Sequence, residues 1–217
     1  MNKRIITIVL SIILLLVILL INLGRIISFC YGMSQHSYNL MPNQINESAK
    51  YYNIEDNSLF YVDSSFSNYL IEKNTESITH FQKALQLIYF DKTGKPVAHY
   101  LNCYTKGFPN YKWNNNKNLH SFPPEPQKYN EDKVCIPDTS VRLGDIIKNI
   151  IPLNRKTSSN NIQDDSTEYY IAVFWSKSSG RQTKVMLDAL KDNLKLAKSK
   201  FKIIYINNDK LLWQKYH

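Results

Sequence analysis

An uncharged apolar run near the beginning of the chain is the feature that most constrains its fold. Ile5 to Ile21 is seventeen residues long without a charged side chain, and Leu23, Ile26 and Ile27 extend it. At about 1.5 Å per residue, a helix over residues 5–27 crosses about 30 Å of hydrocarbon with some tilt. The run predicts a transmembrane anchor over residues 1–28, with the lipid bilayer as a partner through residues 5–27.

A cleaved signal peptide is the alternative interpretation of this run. The apolar region of a signal peptide normally holds about 7–15 residues and ends in a small-x-small cleavage site. Here the run is longer and no Ala-x-Ala follows it. Cys30 suggests lipoprotein processing, but Phe29 stands where that signal requires a small residue. A transmembrane anchor is therefore the expectation, with a cleaved signal peptide as the alternative.

The charges around the run predict its orientation. Lys3 and Arg4 precede it, whereas Arg25 is the only Lys or Arg in the twenty-odd positions that follow it. Basic residues tend to stay on the cytoplasmic side of a membrane. We therefore expect a single-pass cell-membrane protein whose C-terminal domain is extracytoplasmic, and periplasmic if the source is a bacterium.

The remaining positive charge lies at the other end of the chain. Of the net charge of +9, residues 1–25 contribute +3 and residues 168–217 contribute +6. A basic helix face in the second region is compatible with nucleic acid, with anionic lipid, or with a solvated surface. Because export separates the domain from nucleic acid, we expect no nucleic-acid partner.

The exported part has the length of one domain. Residues 29–58 are polar and without a sustained period, which predicts a juxtamembrane tether. We expect an α/β domain over residues 59–217, with a β-hairpin near residues 85–104 that turns at Gly94. A long Pro- and Asn-rich loop over residues 105–137 follows, and residues 138–151 carry a helix signature.

The last fifty residues have the clearest pattern. Tyr169 to Trp175 is a continuous apolar run of strand length, which is typical of a strand buried on both faces. From Arg181 to Ser199 the apolar residues recur at helical spacing, and Phe201 to Ile206 is a second strand. This order predicts a parallel βαβ unit over residues 168–207, followed by a short helix at 209–216.

The βαβ unit resembles the central part of a thioredoxin domain. In that family the strand ends in Trp, a Cys-Gly-Pro-Cys motif opens the helix, and the second strand leads to an Asp and a short helix ending in Lys-Tyr. The matching residues, in the same order, are Trp175, Gly180, Asp209, Lys215 and Tyr216. The resemblance covers about residues 168–217 and implies a thioredoxin-like fold.

The resemblance departs from the family in two ways. A thioredoxin domain continues beyond this unit into a further strand, a hairpin partner and a helix, so the match is to an incomplete or permuted domain. In a permuted arrangement the hairpin at 85–104 fills the missing sheet positions. The alternative is an ordinary three-layer α/β domain with a generic βαβ unit.

The second departure concerns the reactive cysteines. Ser179 and Gln182 stand at the positions of the cysteine pair, and a serine hydroxyl cannot supply the thiolate that disulfide exchange requires. We expect Ser179 to cap the helix and Trp175, Ser179 and Gly180 to border a groove that holds an extended peptide. Cys103 and Cys135 flank the long loop and are a candidate disulfide, with a pair of reduced thiols as the alternative.

Other motifs point to no cofactor and no metal. The five histidines lie far apart, without metal-ligand spacing and without a Cys-x-x-Cys companion. Asp91-Lys-Thr-Gly overlaps the phosphorylation motif of P-type ion pumps, but Asp-x-x-Gly between two strands is a common hairpin turn.

Three functions compete. The first is a membrane-anchored, exported thioredoxin-like protein without redox cysteines, which binds or scaffolds an envelope protein or peptide. The second is an exported enzyme with unidentified active residues, and the third is an accessory of a transporter or secretion system. The absence of Cys-x-x-Cys favours the first and makes a thiol-disulfide oxidoreductase the least expected enzyme.

Overall fold

A computed structural model describes residues 3–30, 32–33, 38–55, 58–73, 83–101, 118–126, 128–130, 133–134, 137–154, 162 and 164–216. The helices are α1 (Lys3–Cys30), α2 (Pro42–Tyr51), α3 (Ser64–Glu72), α4 (Leu143–Lys148), α5 (Arg181–Leu194) and α6 (Asp209–Tyr216). The strands are β1 (Leu59–Tyr61), β2 (Gln86–Asp91), β3 (Pro96–Leu101), β4 (Lys128–Asn130), β5 (Lys133–Val134), β6 (Ile151–Pro152), β7 (Tyr169–Trp175) and β8 (Phe201–Asn207).

Helix α1 contains the predicted membrane span. Residues Arg4–Ile27 form a segment of 24 residues that is long and apolar enough to cross a membrane. None of its described side chains is buried against the rest of the protein. Such a surface is costly in water and favourable in lipid, so the helix is compatible with single-pass anchoring.

Six strands form one mixed sheet in the order β3-β2-β7-β8-β1-β6. The three central strands β7, β8 and β1 are parallel, and β2 and β6 flank them in the antiparallel direction. Strand β7 pairs with β8 from Tyr169 opposite Phe201 to Trp175 opposite Asn207. The strands of the predicted βαβ unit are therefore parallel neighbours, and the chain has an α/β architecture.

Helices cover both faces of the sheet. Successive side chains of a strand point to opposite faces, so β7 supplies Ile171, Val173 and Trp175 to one core layer and Tyr170, Ala172 and Phe174 to the other. Helices α2 and α5 pack on the first layer, and helices α3, α4 and α6 pack on the second. Burial on both faces explains why β7 is apolar without alternation.

Helix α2 corrects the expectation of an irregular tether over residues 29–58. Ile45, Ser48 and Ala49 are the buried face of this helix, and Leu40 and Ile54 on either side of it are also buried. Only two of the buried side chains of α2 are apolar, so the apolar period is too short to stand out from its polar sequence. The segment is part of the domain rather than a spacer.

Other boundaries also differ from the predictions. Helix α5 ends at Leu194 instead of Ser199, and the helix signature at 138–151 becomes the short α4 followed by strand β6. Within the long loop over 105–137, the described residues form a 3-10 turn at Asn118–His120 and the small β4-β5 hairpin. Cys103 and Cys135 lie outside the described residues, so their pairing stays a prediction.

The β2-β3 hairpin turns at Gly94, as its sequence predicts. Gly94 has φ 76° and its N–H donates to the Asp91 carbonyl at 2.9 Å. The Asp91 carboxylate accepts hydrogen bonds from the Thr93 N–H at 2.9 Å, the Thr93 hydroxyl at 2.6 Å and the Lys95 N–H at 3.0 Å. Asp91 thus stabilises the turn through its side chain.

We expect this turn to make stability depend on acid pH. Partial burial alone would raise the pKa of Asp91, but the hydrogen bonds from Thr93 and Lys95 outweigh it and lower the pKa. A lowered folded-state pKa adds stability above the unfolded-state pKa of about 4 and loses it as the pH falls further. The unfolding free energy of Asp91→Asn should fall less steeply than wild type below about pH 4.

Tryptophan fluorescence during denaturation of the detergent-solubilised full chain, between pH 6 and 3, measures this difference. Lys92→Gln is the matched control, because it removes a charge from the same turn without touching the Asp91 hydrogen bonds. If the unfolding free energies of wild type and Asp91→Asn fall in parallel with pH, Asp91 does not cause the acid dependence of stability.

Candidate functional site

The candidate site lies where the parallel strands β7 and β8 end. Carboxyl ends of parallel strands meet at one edge of a sheet, where α/β proteins commonly bind ligands. Here β7 ends at Trp175, the loop 176–180 leads into α5, and β8 ends at Asn207 before α6 begins. Of the residues that resemble the thioredoxin motif, Trp175, Gly180 and Asp209 therefore lie at this edge.

A buried carboxylate organises the loop after β7. Asp209 is fully buried and accepts five hydrogen bonds. Its Oδ1 accepts from the Ser176 hydroxyl at 2.7 Å and from the Ser178 hydroxyl and N–H at 2.8 and 3.0 Å. Its Oδ2 accepts from the Lys177 N–H at 2.7 Å and the Asn207 amide at 2.8 Å. These bonds replace the hydrogen bonds from water that a carboxylate loses when it is buried.

The start of α5 corrects the expected role of Ser179. The N-cap residue is Gly180, with φ 51° and ψ −125°, and it makes no side-chain cap. Ser179 is 6% exposed, and its carbonyl accepts from the Gln182 N–H at 3.0 Å. Gln182 is 5% exposed. The two positions that match the cysteine pair are therefore nearly closed to solvent.

The chain segment that follows α1 closes the N-terminus of α5. The Arg181 N–H donates to the Gly32 carbonyl at 2.9 Å, and the Arg181 guanidinium donates to the Cys30 carbonyl. A Cβ on Gly180 would lie 1.9 Å from the Gly32 oxygen. Only glycine fits this approach, and the free N–H that would stabilise a thiolate or anion at this helix end is already used.

Tyr52 joins helix α2 to the same edge. Its hydroxyl donates to the Gly180 carbonyl at 3.1 Å, and its ring packs edge-on against Trp175 with 5.8 Å between centroids. Burial, assisted by the negative charge of Asp209, raises the pKa of Tyr52 to about 12. The hydroxyl therefore keeps its proton at neutral pH and remains a donor.

A cavity of about 610 Å³ opens beside Tyr52, and we call it the Tyr52 cavity. Three tyrosines, one acid and one base line it together with Gly180: Tyr38, Tyr51, Tyr52, Glu47 and Lys177. The Lys177 Nζ lies over the Tyr38 ring, 5.0 Å from its centroid. Ser48 also lines it, and Phe29, Gly32 and Met33 form the wall on the side of α1. The volume is that of a small-molecule site.

Of the three predicted groove residues, only Gly180 lines this cavity. Trp175 is fully buried behind Tyr52, and its indole N–H has no hydrogen-bond partner within the described ranges. The sequence reasoning misses Tyr52 because it interprets residues 29–58 as a tether, and it misses Lys177 because a single lysine in the loop after β7 carries no motif. The adjacent aromatic pair Tyr51-Tyr52 was the available signal.

The site holds no recognisable metal chemistry in the part of the chain that the structure describes. No group of three His, Cys, Asp or Glu side chains lies close enough there to bind a metal ion. Asp209 is surrounded by hydrogen-bond donors, and each oxygen already accepts at least two bonds.

No protein-family model, no curated protein and no solved structure matches this chain.

Proposed function

We propose that the chain is a membrane-anchored, exported, thioredoxin-like protein without redox cysteines, which acts as a binding or scaffolding module of the cell envelope. The observation that carries this proposal is the closed N-terminus of α5. Ser179 and Gln182 bring no thiol, and the Arg181 N–H is bonded to Gly32. The helix N–H that would stabilise a thiolate therefore bonds the segment after α1 to the start of α5 instead.

The sheet supports the thioredoxin-like part of the proposal. The hairpin β2-β3 lies beside β7 in the antiparallel direction, at the sheet position where a permuted domain needs it. Trp175 ends β7, and Asp209 begins a short helix directly after β8. These positions follow the order of the family motif, whereas the cysteine positions depart from it.

The anchor supports the location. Helix α1 is long enough to span a bilayer, and the basic residues that precede it favour an N-terminus in the cytoplasm. The body then faces the extracytoplasmic side, where an envelope protein or peptide is its partner.

Topology is testable with fusions. We expect alkaline phosphatase fused after residue 217 to be active and a fluorescent protein that requires the cytosol to be dark at the same site. The same fusions to a chain lacking residues 1–28 should show the opposite result. A full-chain fusion that fluoresces and lacks phosphatase activity would reverse the orientation.

Binding without redox chemistry is testable in cells and in vitro. A photoreactive benzoylphenylalanine is placed in turn at the exposed apolar positions of the body: Met41, Tyr51, Ile71, Leu196 and Phe201. We expect at least one position to give a discrete adduct with one envelope protein or peptide. The purified full chain should reduce insulin with dithiothreitol no faster than the uncatalysed rate, because the α5 cysteine positions hold Ser179 and Gln182.

Lys184 and Lys191, exposed on α5, are the control positions for crosslinking. Equal adducts at these positions would indicate random collision, and the absence of adducts at all five apolar positions would overturn the binding role. Insulin turnover clearly above background would overturn its redox-inactive character.

A further inference from the structure

The Tyr52 cavity lies directly beyond the end of the membrane span. Gly32, in its wall, follows Ile27 by five residues, and its N–H donates to the Phe29 carbonyl at 2.9 Å, which keeps this segment compact. In helical geometry five residues rise about 8 Å. Each headgroup layer is about 5–8 Å thick. If α1 spans the bilayer, the cavity therefore opens at the level of the lipid headgroups.

The cavity wall carries both charges of a zwitterion. Glu47 and Lys177 line it, and neither forms a salt bridge to another residue that the structure describes. Three tyrosines line the same cavity together with the apolar Phe29 and Met33, and the ring of one of them, Tyr38, already lies under the Lys177 Nζ. Tyrosine faces attract ammonium groups, and tyrosine is typical of membrane interfaces. A purely anionic ligand would meet the Glu47 carboxylate, which disfavours it.

We propose that the Tyr52 cavity binds the zwitterionic headgroup of a phospholipid from the leaflet next to it. The ammonium group contacts Tyr51 and Glu47, and the phosphate pairs with Lys177, whose Nζ lies over the Tyr38 ring. This inference rests on the membrane anchoring in the proposed function. An envelope protein then docks on another face of the domain.

The position of the cavity at the level of the lipid headgroups favours a lipid ligand over a peptide ligand. A lipid headgroup is already at this level and only has to move sideways into the cavity, whereas a soluble peptide has to enter the headgroup layer. Tyr51, at the rim, is 79% exposed, and Phe29 is 81% exposed. Such aromatic exposure is costly in water and is relieved in an interface.

The test uses the full chain in detergent micelles with phosphatidylethanolamine or phosphatidylglycerol of identical acyl chains, and retained lipid is counted by native mass spectrometry. We expect phosphatidylethanolamine to be retained about fivefold more than phosphatidylglycerol, a ratio in the range of exposed cation–π and ion-pair contacts. Lys177→Gln should lower phosphatidylethanolamine retention about fivefold, and Glu47→Gln should abolish the preference between the two lipids. Lys191→Gln, which removes an exposed lysine on α5, should behave as wild type.

Equal retention of both lipids, unchanged in Lys177→Gln and Glu47→Gln, would mean that lipid only surrounds α1 and would overturn the inference. A photoadduct at Tyr51 that contains protein instead of phospholipid would overturn it in favour of a peptide ligand while the proposed function stands. Cytoplasmic topology of the fusions would remove the proposed function without affecting lipid retention, so the two failures are distinguishable. Both charged side chains are exposed, and circular dichroism checks that the variants fold.

Discussion

Replacing Asp209 with alanine is expected to lower the unfolding free energy by about 3–5 kcal/mol, one of the two largest effects of any single substitution considered. The carboxylate is fully buried and accepts five hydrogen bonds from Ser176, Lys177, Ser178 and Asn207. Removing the acceptor leaves buried donors without partners, and each such group costs about 1–3 kcal/mol unless water enters. The loop after β7 then loses its connection to α6.

Denaturant unfolding of the detergent-solubilised full chain, followed by tryptophan fluorescence, measures this loss. Asp192→Ala is the matched control, since Asp192 is an exposed acid whose salt bridge is to Lys195 on the surface of α5. We expect the control to unfold as wild type does. A loss below about 1 kcal/mol for Asp209→Ala would show that water or a rearranged loop replaces the network.

The second large effect is expected for Gly180→Ala. A Cβ at this position would lie 1.9 Å from the Gly32 oxygen, and the backbone conformation of φ 51° and ψ −125° is one that side chains rarely adopt. The conformational cost alone is about 1–3 kcal/mol. The clash is with backbone, so relief requires that the segment after α1 move away from α5 and break the Arg181 to Gly32 hydrogen bond.

Gly144→Ala is the control for this variant, because no atom lies within 4 Å of its added Cβ and Gly144 lies in helix α4. In a helix, alanine is favoured over glycine by about 0.5–1 kcal/mol. We therefore expect opposite shifts of the unfolding midpoint: down for Gly180→Ala and up or unchanged for Gly144→Ala. A Gly180→Ala chain as stable as wild type would contradict the close approach of the two segments.

Local patterns were sufficient for three elements. The apolar run predicts α1 because a membrane helix must be apolar on all sides. The hairpin is readable because Asp91 and Gly94 encode the turn, and β7 is readable because burial on both faces removes polar residues from it. The conformation of the hairpin turn is determined by residues within a few positions of it. In α1 and β7 the apolar surroundings act on every residue of the segment alike.

Local sequence patterns did not predict helix α2 or the Tyr52 cavity. Ile45 and Ala49 are two apolar residues in a polar segment, and only the layer formed by β7 and α5 makes them a buried face. Tyr52 is a site residue only because the packing of α2 places it against Trp175 and Gly180, which lie more than 120 positions further along the chain. Contacts across such separations leave no period in the sequence.

By itself, therefore, the sequence determined the apolar helix α1, the hairpin and the βαβ unit, and the lack of a thiol at Ser179 and Gln182. Tertiary structure alone decided that Asp209 accepts five buried hydrogen bonds and that Gly32 closes the start of α5. It also decided that a cavity opens between α2 and the contact of Gly32 with α5. The physical reason is that hydrophobicity and turn chemistry are properties of short segments. Hydrogen bonds and cavities depend on which segments the packed core brings together.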